Sequence, residues 1–289
     1  MVSVMRETRP LEDLTLVALL RRRAAQQPNA RGYTFLADGE LKEISLTYQQ
    51  LDRQARSIAA MIRAAGANGE SVLLVFPSGL DFIAAFFGCL YAGSIAVAAY
   101  PPRPNRPMDR FAVIARDSGA RVVLTLEGIR SKLEPAVAEV DGFQHLKWLT
   151  VDQLDDNAAD EWFLPDINED SLALLQYTSG STAQPKGTMV SHGNLLHNSR
   201  SICTAFGHSR SSVAVGWLPM THDMGLVGNV LQPLFVGFPI VIMAPEHFLV
   251  KPIRWLRAIS RYRATTSGGP NFAYDHCSQK IRPELRSEL

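Results

Sequence analysis

The sequence predicts an α/β fold built from mainly parallel sheets flanked by helices. Short uncharged runs, at residues 72–76 and 95–99, read as buried strands. Longer segments with apolar residues three and four positions apart lie between such runs and read as helices. The two kinds of segment alternate along the chain, as repeated βα winding requires.

Taken in order, Thr47 can cap a helix on which Leu51, Ala55, Ile58, Ile62 and Ala65 fall on one face. Residues 72–76, Val-Leu-Leu-Val-Phe, follow as a strand. The alternation continues with a helix over 81–91, a strand over 95–99, a helix over 108–118, a strand over 121–125 and a helix over 130–140. The polar, acidic stretch 152–170 interrupts this pattern. It divides the chain into a first α/β subdomain over 1–168 and a second over 169–289. Past it come a strand over 172–177, a helix over 193–206, a strand over 213–217, a helix over 225–234 and a strand over 240–243. Residues 82–100 carry no charge and are long enough to be scored as a membrane-spanning helix. Gly88, Gly93 and Ser94 interrupt them, and Pro101-Pro102 follow, so a buried helix, a turn and a buried strand explain the run better. The proline-rich stretch 101–107 is a short stiff connector.

The formal net charge is +1, without a basic block or an acidic tail, so electrostatics give no reason to expect a nucleic acid or a charged membrane as partner. Cys89, Cys203 and Cys277 are odd in number and far apart, which fits reduced thiols in the cytoplasm better than a disulfide framework. The N-terminal segment has early arginines but lacks the apolar stretch and cleavage site of a secretory signal.

The most informative stretch runs from Leu174 to Gly187, where an uncharged strand ends in Thr178-Ser179-Gly180-Ser181-Thr182-Ala183-Gln184-Pro185-Lys186-Gly187. Such a loop can turn backbone N–H groups and hydroxyls toward one anion. Gly180 and Gly187 remove Cβ atoms that would block close approach, and Lys186 supplies charge. The common P-loop wants Gly before the lysine and Ser or Thr after it; here Pro185 precedes and Gly187 follows, so this is a different loop. The same composition also suits an ordinary surface turn.

The longer pattern, Tyr-Thr-Ser-Gly-Ser-Thr-x-x-Pro-Lys-Gly followed by Ser191-His192-Gly193-Asn194-Leu195-Leu196-His197-Asn198, resembles the signature of adenylate-forming ligases, and within them the fatty acyl-AMP ligases. Further segments carry the likeness: Leu46-Thr47-Tyr48, Gly88-Cys89-Leu90-Tyr91-Ala92-Gly93, Gly216-Trp217-Leu218-Pro219 with His222-Asp223-Met224-Gly225-Leu226, and Ser267-Gly268-Gly269-Pro270-Asn271-Phe272-Ala273-Tyr274. The resemblance implies ATP-dependent activation of a fatty acid to an acyl-adenylate. It also implies transfer of the acyl group to the phosphopantetheine thiol of an acyl carrier protein; long-chain acyl-CoA ligase chemistry is the alternative. Joining a carboxylate to the α-phosphate concentrates negative charge, so donors and cations must hold it. Thr178, Ser179, Ser181, Thr182 and Lys186, with Gly180 and Gly187, are the expected phosphate cradle, with Mg2+ bridging phosphate oxygens. No side-chain metal cluster is expected.

By the same resemblance His222 stands where carboxylate and thiol meet, as wall and gate, so that Lys186 and His222 mark the catalytic centre. Asp223, Met224 and Leu226 border the acyl chain, and Gly269, Asn271 and Tyr274 bind substrate. Read from the residues alone, His222 could equally cap a helix starting at Asp223, and Gly269-Pro270-Asn271 could be a plain strand-to-helix turn. His145, His208, His247 and His276 lack metal-ligand spacing and receive no role, while His192 and His197 are expected to orient the helix after the loop. The family continues with adenine, ribose and magnesium contacts and a mobile C-terminal domain bearing a catalytic lysine. None is recognisable before Leu289, so the chain is expected to be the front part of a larger enzyme and inactive alone, at most an acid-binding piece.

Overall fold

In the computed structural model, residues 14–101, 109–152, 154–178 and 185–289 are described. The chain runs α1 (Leu16–Gln26), β1 (Arg31–Leu36), β2 (Glu43–Thr47), α2 (Tyr48–Ala64), β3 (Ser71–Val75), α3 (Leu80–Tyr91) and β4 (Ile95–Ala99). It continues through α4 (Asp109–Asp117), β5 (Val122–Thr125), α5 (Glu127–Ala138), β6 (Lys147–Thr150), β7 (Leu172–Thr178), β8 (Lys186–Ser191) and α6 (His192–Phe206). The last part holds β9 (Ala214–Gly216), α7 (Asp223–Gly225), a π-helical turn (Leu226–Leu231), α8 (Gln232–Val236), β10 (Ile240–Met243), α9 (Pro245–Val250), α10 (Ile253–Arg261), β11 (Thr266–Ser267) and α11 (Asn271–Lys280).

The strands form two sheets, ordered β11-β9-β10-β1-β2 and β6-β5-β3-β4-β7-β8. Among the described residues only β1–β2 and β7–β8 pair antiparallel, so the mainly parallel α/β class is borne out. Strand alternation explains the layering. Val72 and Leu74 of β3 enter the core shared with α2 and α3, while Leu73 and Val75 enter a second core with α4 and α5. In the other sheet, Ile240 and Ile242 of β10 face the shared core, and Val241 and Met243 face a third core with α9 and α10. A helical layer thus lies between the two sheets, and each sheet is covered on both faces.

The predicted cap of α2 is present: Thr47 Oγ1 accepts from the Gln50 N–H at 3.2 Å, and Gln50 Oε1 accepts from the Thr47 N–H at 2.9 Å. Leu51, Ala55, Ile58 and Ile62 are fully buried. The uncharged run over 82–100 divides into α3, a turn and β4, and among the described residues no helix is long and apolar enough to cross a membrane. α5 begins three residues before its expected start, at Glu127. The single helix expected over 225–234 is instead α7, the π-helical turn and α8 in succession.

Both sheets draw strands from either side of residue 168: β7 pairs with β4, and β1 pairs with β10. The acidic stretch between β6 and β7 packs on the helical layer. Trp162 Nε1 donates to the Tyr91 carbonyl at 2.8 Å, and an Arg56 guanidinium N–H donates to the Ala159 carbonyl at 3.2 Å. A buried carboxylate fastens three helices here, since Asp52 of α2 accepts from Arg21 of α1 at 2.9 Å, from Arg56 at 3.0 Å and from the Tyr91 hydroxyl of α3 at 2.8 Å. Shared among cationic and hydroxyl donors, that charge has the partners burial demands.

Candidate active site

In parallel α/β sheets ligands collect beyond the C-terminal strand ends. The motif segments follow three such ends, those of β7, β9 and β11. β7 and β8 form the two arms of the Ser/Thr/Gly loop, in a register that sets Thr178 opposite Lys186 and Tyr177 opposite Gly187. Ser179, Gly180, Ser181 and Thr182, and the Thr178 side chain, lie outside the described residues. Lys186 is exposed at the start of β8. Gly187 has a packing reason that differs from the expected one: a Cβ there would lie 2.8 Å from Cζ of the Tyr177 ring. The Tyr177 hydroxyl in turn donates to Asp117 Oδ2 of α4 at 2.5 Å, rooting the hairpin in the helix below it. Burial of the ring, and after it that bond to a carboxylate, push the phenol pKa up.

After β8, Ser191 and Asn194 form a reciprocal capping box at the start of α6, with bonds of 3.1 and 3.2 Å. His192, the first residue of α6, is buried, and its Nδ1 accepts from the Leu16 N–H at 3.2 Å. Burial lowers its pKa to about 4. The imidazole is therefore a neutral tie between α1 and the helix that follows the loop.

The second segment turns from β9 through Trp217–Thr221 to His222. Gly225 is required where α7 passes this turn, because a Cβ there would lie 2.0 Å from the Pro219 carbonyl oxygen. Trp217 is stacked on Phe248 at 3.9 Å between ring centroids and supports the turn from below. His222 immediately precedes α7 and makes no side-chain cap. Its Nδ1 meets Asp223 Oδ1 at 2.9 Å, and the same oxygen accepts from the Met224 N–H at 2.7 Å. The contact with His222 is the main cause of the lowered Asp223 pKa. Both side chains are solvent-facing, so they are available to a ligand arriving at the strand ends.

A hydrogen bond joins the two segments. Gln176 of β7, two residues before Thr178, donates from Nε2 to the Thr221 carbonyl at 3.2 Å. Gln176 Oε1 is buried beside this bond with no partner.

Beside α7 opens a cavity of about 350 Å3, walled by α6, β9, the π-helical turn, α8 and the β11 turn. Ile202, Phe206, Val215, Leu218, Val227 and Phe238 give it a largely apolar surface. Asp223 and Met224 line it, whereas Leu226 does not: it is fully buried in the core shared by the two sheets. The expected Gly269, Asn271 and Tyr274 are also not on its wall. A Cβ on Gly269 would lie 2.8 Å from the Trp217 ring, so that position is filled by packing. Asn271 is the exposed first residue of α11, and Tyr274 lies over Trp255 at 5.7 Å between centroids. The neighbouring Gly268 lines the cavity instead, with open space beside it.

The sequence reading missed most of the wall. It missed Asn198, Ile202 and Phe206 on α6, Gly228 and Asn229 on the π-helical turn, and Gln232 on α8. His208, given no role, lines the cavity between Gln232 and Thr266. The available signal was Asn229 and Gln232, two amides three residues apart in an otherwise apolar run. Among the described residues no group of three or more His, Cys, Asp or Glu is arranged to hold a metal ion.

The chain is 44% identical over 282 residues to the medium-chain-fatty-acid–acyl-carrier-protein ligase JamA of Moorena producens (strain JHB), covering 96% of this chain and 48% of that one. It is 35% identical over 280 residues to the long-chain-fatty-acid–AMP ligase FadD23 of Mycobacterium tuberculosis (strain CDC 1551 / Oshkosh), covering 93% and 47%. The structure aligns with the fatty acyl-adenylate ligase from L. pneumophila, solved in complex with acyl adenylate and pyrophosphate, at a TM-score of 0.90 and 41% identity. That alignment covers 96% of this chain and 48% of the solved one. The chain spans about half the length of the curated relatives it matches. The profile of the family described as AMP-binding enzyme matches residues 20–288, and on that extent this chain belongs to the AMP-binding enzyme family.

Proposed function

We propose that the protein to which this chain belongs activates a fatty acid with ATP, forming an acyl-adenylate and pyrophosphate, and passes the acyl group to the phosphopantetheine thiol of an acyl carrier protein in the cytoplasm. The observation that carries the reading is the adjacency of an apolar cavity to the loop arm. Asp223, next to His222, and Met224 line the cavity, and the His222 turn is bonded through Thr221 to Gln176 of the loop strand. An acyl chain in the cavity would bring its carboxylate toward the place where the Ser/Thr/Gly loop and Lys186 hold phosphates.

In this reading Lys186 and the loop donors offset the charge that accumulates as pyrophosphate leaves, an effect commonly of a few kcal/mol per well-placed donor. His222, held by Asp223, borders the reacting carboxylate as wall and gate. ATP would bring magnesium bound to its phosphates, with the loop hydroxyls completing the oxygen ligands. Asp223 and Met224 border the acyl chain and Gly268 forms part of the wall, while Gly269 packs against the Trp217 ring. The test is to incubate the full-length protein with decanoic acid, ATP, magnesium and a phosphopantetheinylated carrier protein, and to follow acyl-adenylate and acyl-carrier by mass spectrometry. Acyl-adenylate followed by acyl-carrier is expected. Acyl-CoA formed in preference, when coenzyme A is supplied beside the carrier, would replace the acceptor; no adenylate with any acid would overturn the reading.

A further inference from the structure

The two halves of the candidate site stand on different sheets. Lys186 and the loop arm belong to β7 and β8 of the six-stranded sheet. The His222 turn follows β9 of the five-stranded sheet, and β9 and the β11 turn also wall the cavity. Gln176 spans from one to the other. Side chains alternate along β7: Leu174 enters the core shared by the two sheets and Tyr177 the core with α4 and α5, so Gln176 faces the shared core on the same side as Leu174. Opposite it, Met220 is buried in that same core, and the next residue, Thr221, presents the carbonyl that Gln176 Nε2 reaches at 3.2 Å. A carbonyl can be met only by a donor, so the amide is held one way round, with Oε1 buried and unpaired. The hydroxyl of Tyr100, the residue after β4, meets the side chain of the same Thr221.

An amide on the core face of a strand, with one end unpaired, is poor material for stability, because an apolar side chain of similar shape would fill the place without an orphaned acceptor. What the amide supplies is direction, since a hydrogen bond fixes the distance and angle between the groups it joins. This one joins the residue before His222 to the strand that leads into the loop, on a rung where Gln176 stands opposite Thr188, two residues past Lys186. In adenylate formation a carboxylate oxygen bonds to the α-phosphorus as the bond to pyrophosphate breaks. The reacting atoms must start about 3–3.5 Å apart, and a misplacement of about 1 Å can cost ~100-fold in rate.

We propose that Gln176 is a positioning residue for adenylate formation: its bond to the Thr221 carbonyl holds the His222 turn, and with it the acid's carboxylate, in line with the phosphates at the loop arm. This rests on the reading of the site as one for fatty acid and ATP, and the test separates the two. The full-length protein is assayed by decanoate-dependent exchange of pyrophosphate into ATP, which follows adenylate formation alone. Gln176→Met keeps the volume and removes the donor, so the maximal rate should fall at least about tenfold while KM for decanoic acid and for ATP stays within about twofold. Gln176→His, whose Nε2–H can reach a similar point, should recover most of the rate. Gln176→Glu at about pH 8, where an ionised carboxylate only accepts, should be at least as slow and carries the comparison if Gln176→Met does not fold. An unchanged maximal rate, a raised KM at unchanged maximal rate, or equal rates for the variants with and without a donor overturns the proposal and leaves the reading of the site standing. No exchange by the unaltered protein removes that reading and this proposal together.

Discussion

The loop hairpin and the cavity lie side by side but are specified in opposite ways. The β7–β8 arm is a local object: a contiguous stretch carries the strand, the hydroxyls, the lysine and the glycine that lets Tyr177 pass. The cavity is a difference between packed elements. Its wall takes residues from Asn198 to Gly268 on α6, β9, the π-helical turn, α8 and β11, none of which is informative alone. A charge-holding loop can therefore be changed by one substitution without touching the core, whereas the cavity answers to volume and to buried polar pairing.

The sharpest way to break this contrast is Lys186→Ala in the full-length protein. An exposed lysine at the start of β8 contributes little to packing, so the melting temperature should stay within about a degree for a surface change below ~0.5 kcal/mol. Adenylate formation should fall about 100- to 1,000-fold, the loss typical of one well-placed donor to developing negative charge. Unchanged turnover would remove Lys186 from the phosphate site and leave the loop as an ordinary turn.

Next in size is a stability effect at the other end of the same arm. His192 is neutral in the fold, with its pKa lowered to about 4, against an ordinary value near 6.5. Above about pH 6.5 neither folded nor unfolded imidazole is protonated and this group adds no pH dependence. As pH falls from there toward 4 the unfolded chain binds a proton that the native state refuses, so stability drops, by about 3 kcal/mol in total. Urea unfolding across pH 4 to 7.5 measures the slope. His192→Asn, which keeps an acceptor for the Leu16 N–H, should flatten it relative to the parent; an equal slope in both would place the titration elsewhere.

For the cavity the matching test adds volume. Gly268 faces open space, so Gly268→Leu should fold normally and fill the wall. Dodecanoic acid should lose about tenfold in binding relative to hexanoic acid, in keeping with a few methylenes' worth of discrimination. Gly269→Leu, one residue on, is expected to displace the Trp217 ring and lower stability with no bias between short and long acids. Matching chain-length effects at both positions would mean that the wall is wrongly drawn.

What was legible follows from the same contrast. β3, β4, β7 and β10 were readable because both their faces are covered, which forces uninterrupted apolar runs. β2, β6 and β8 were not, because each closes a sheet edge and none has more than one buried residue. α1 hid behind Arg21-Arg22-Arg23, yet Leu16, Val17, Leu19 and Leu20 are buried, and Arg23 itself is inside, donating to the Leu234 and Phe235 carbonyls at 2.9 and 2.6 Å. At the site, Asp223 and Met224 could be placed from their motif, since the chain that carries them turns directly into the cavity. Leu226 could not be told apart from them, because the turn from α7 into the π-helical segment decides which side of the helix faces inward. His208 was unreadable for a different reason: its partners, Gln232 and Thr266, are 24 and 58 residues away.

The smallest expected effect asks how far the hairpin is independent of the body. The Tyr177 hydroxyl bonds the hairpin to α4, in a 2.5 Å contact with a carboxylate that is itself exposed. Tyr177→Phe keeps the ring against Gly187 and removes only that bond. Asp117 regains water when the hydroxyl goes, so the loss should be about 1 kcal/mol, below the range for a fully buried charged bond. Urea denaturation measures it, and the full-length enzyme reports the rest. A several-fold fall in adenylate formation beyond that stability loss would mean that α4 sets the position of the loop arm. Activity unchanged at the lower stability would mean that ladder pairing along 172–191 positions Lys186 without help from the helix.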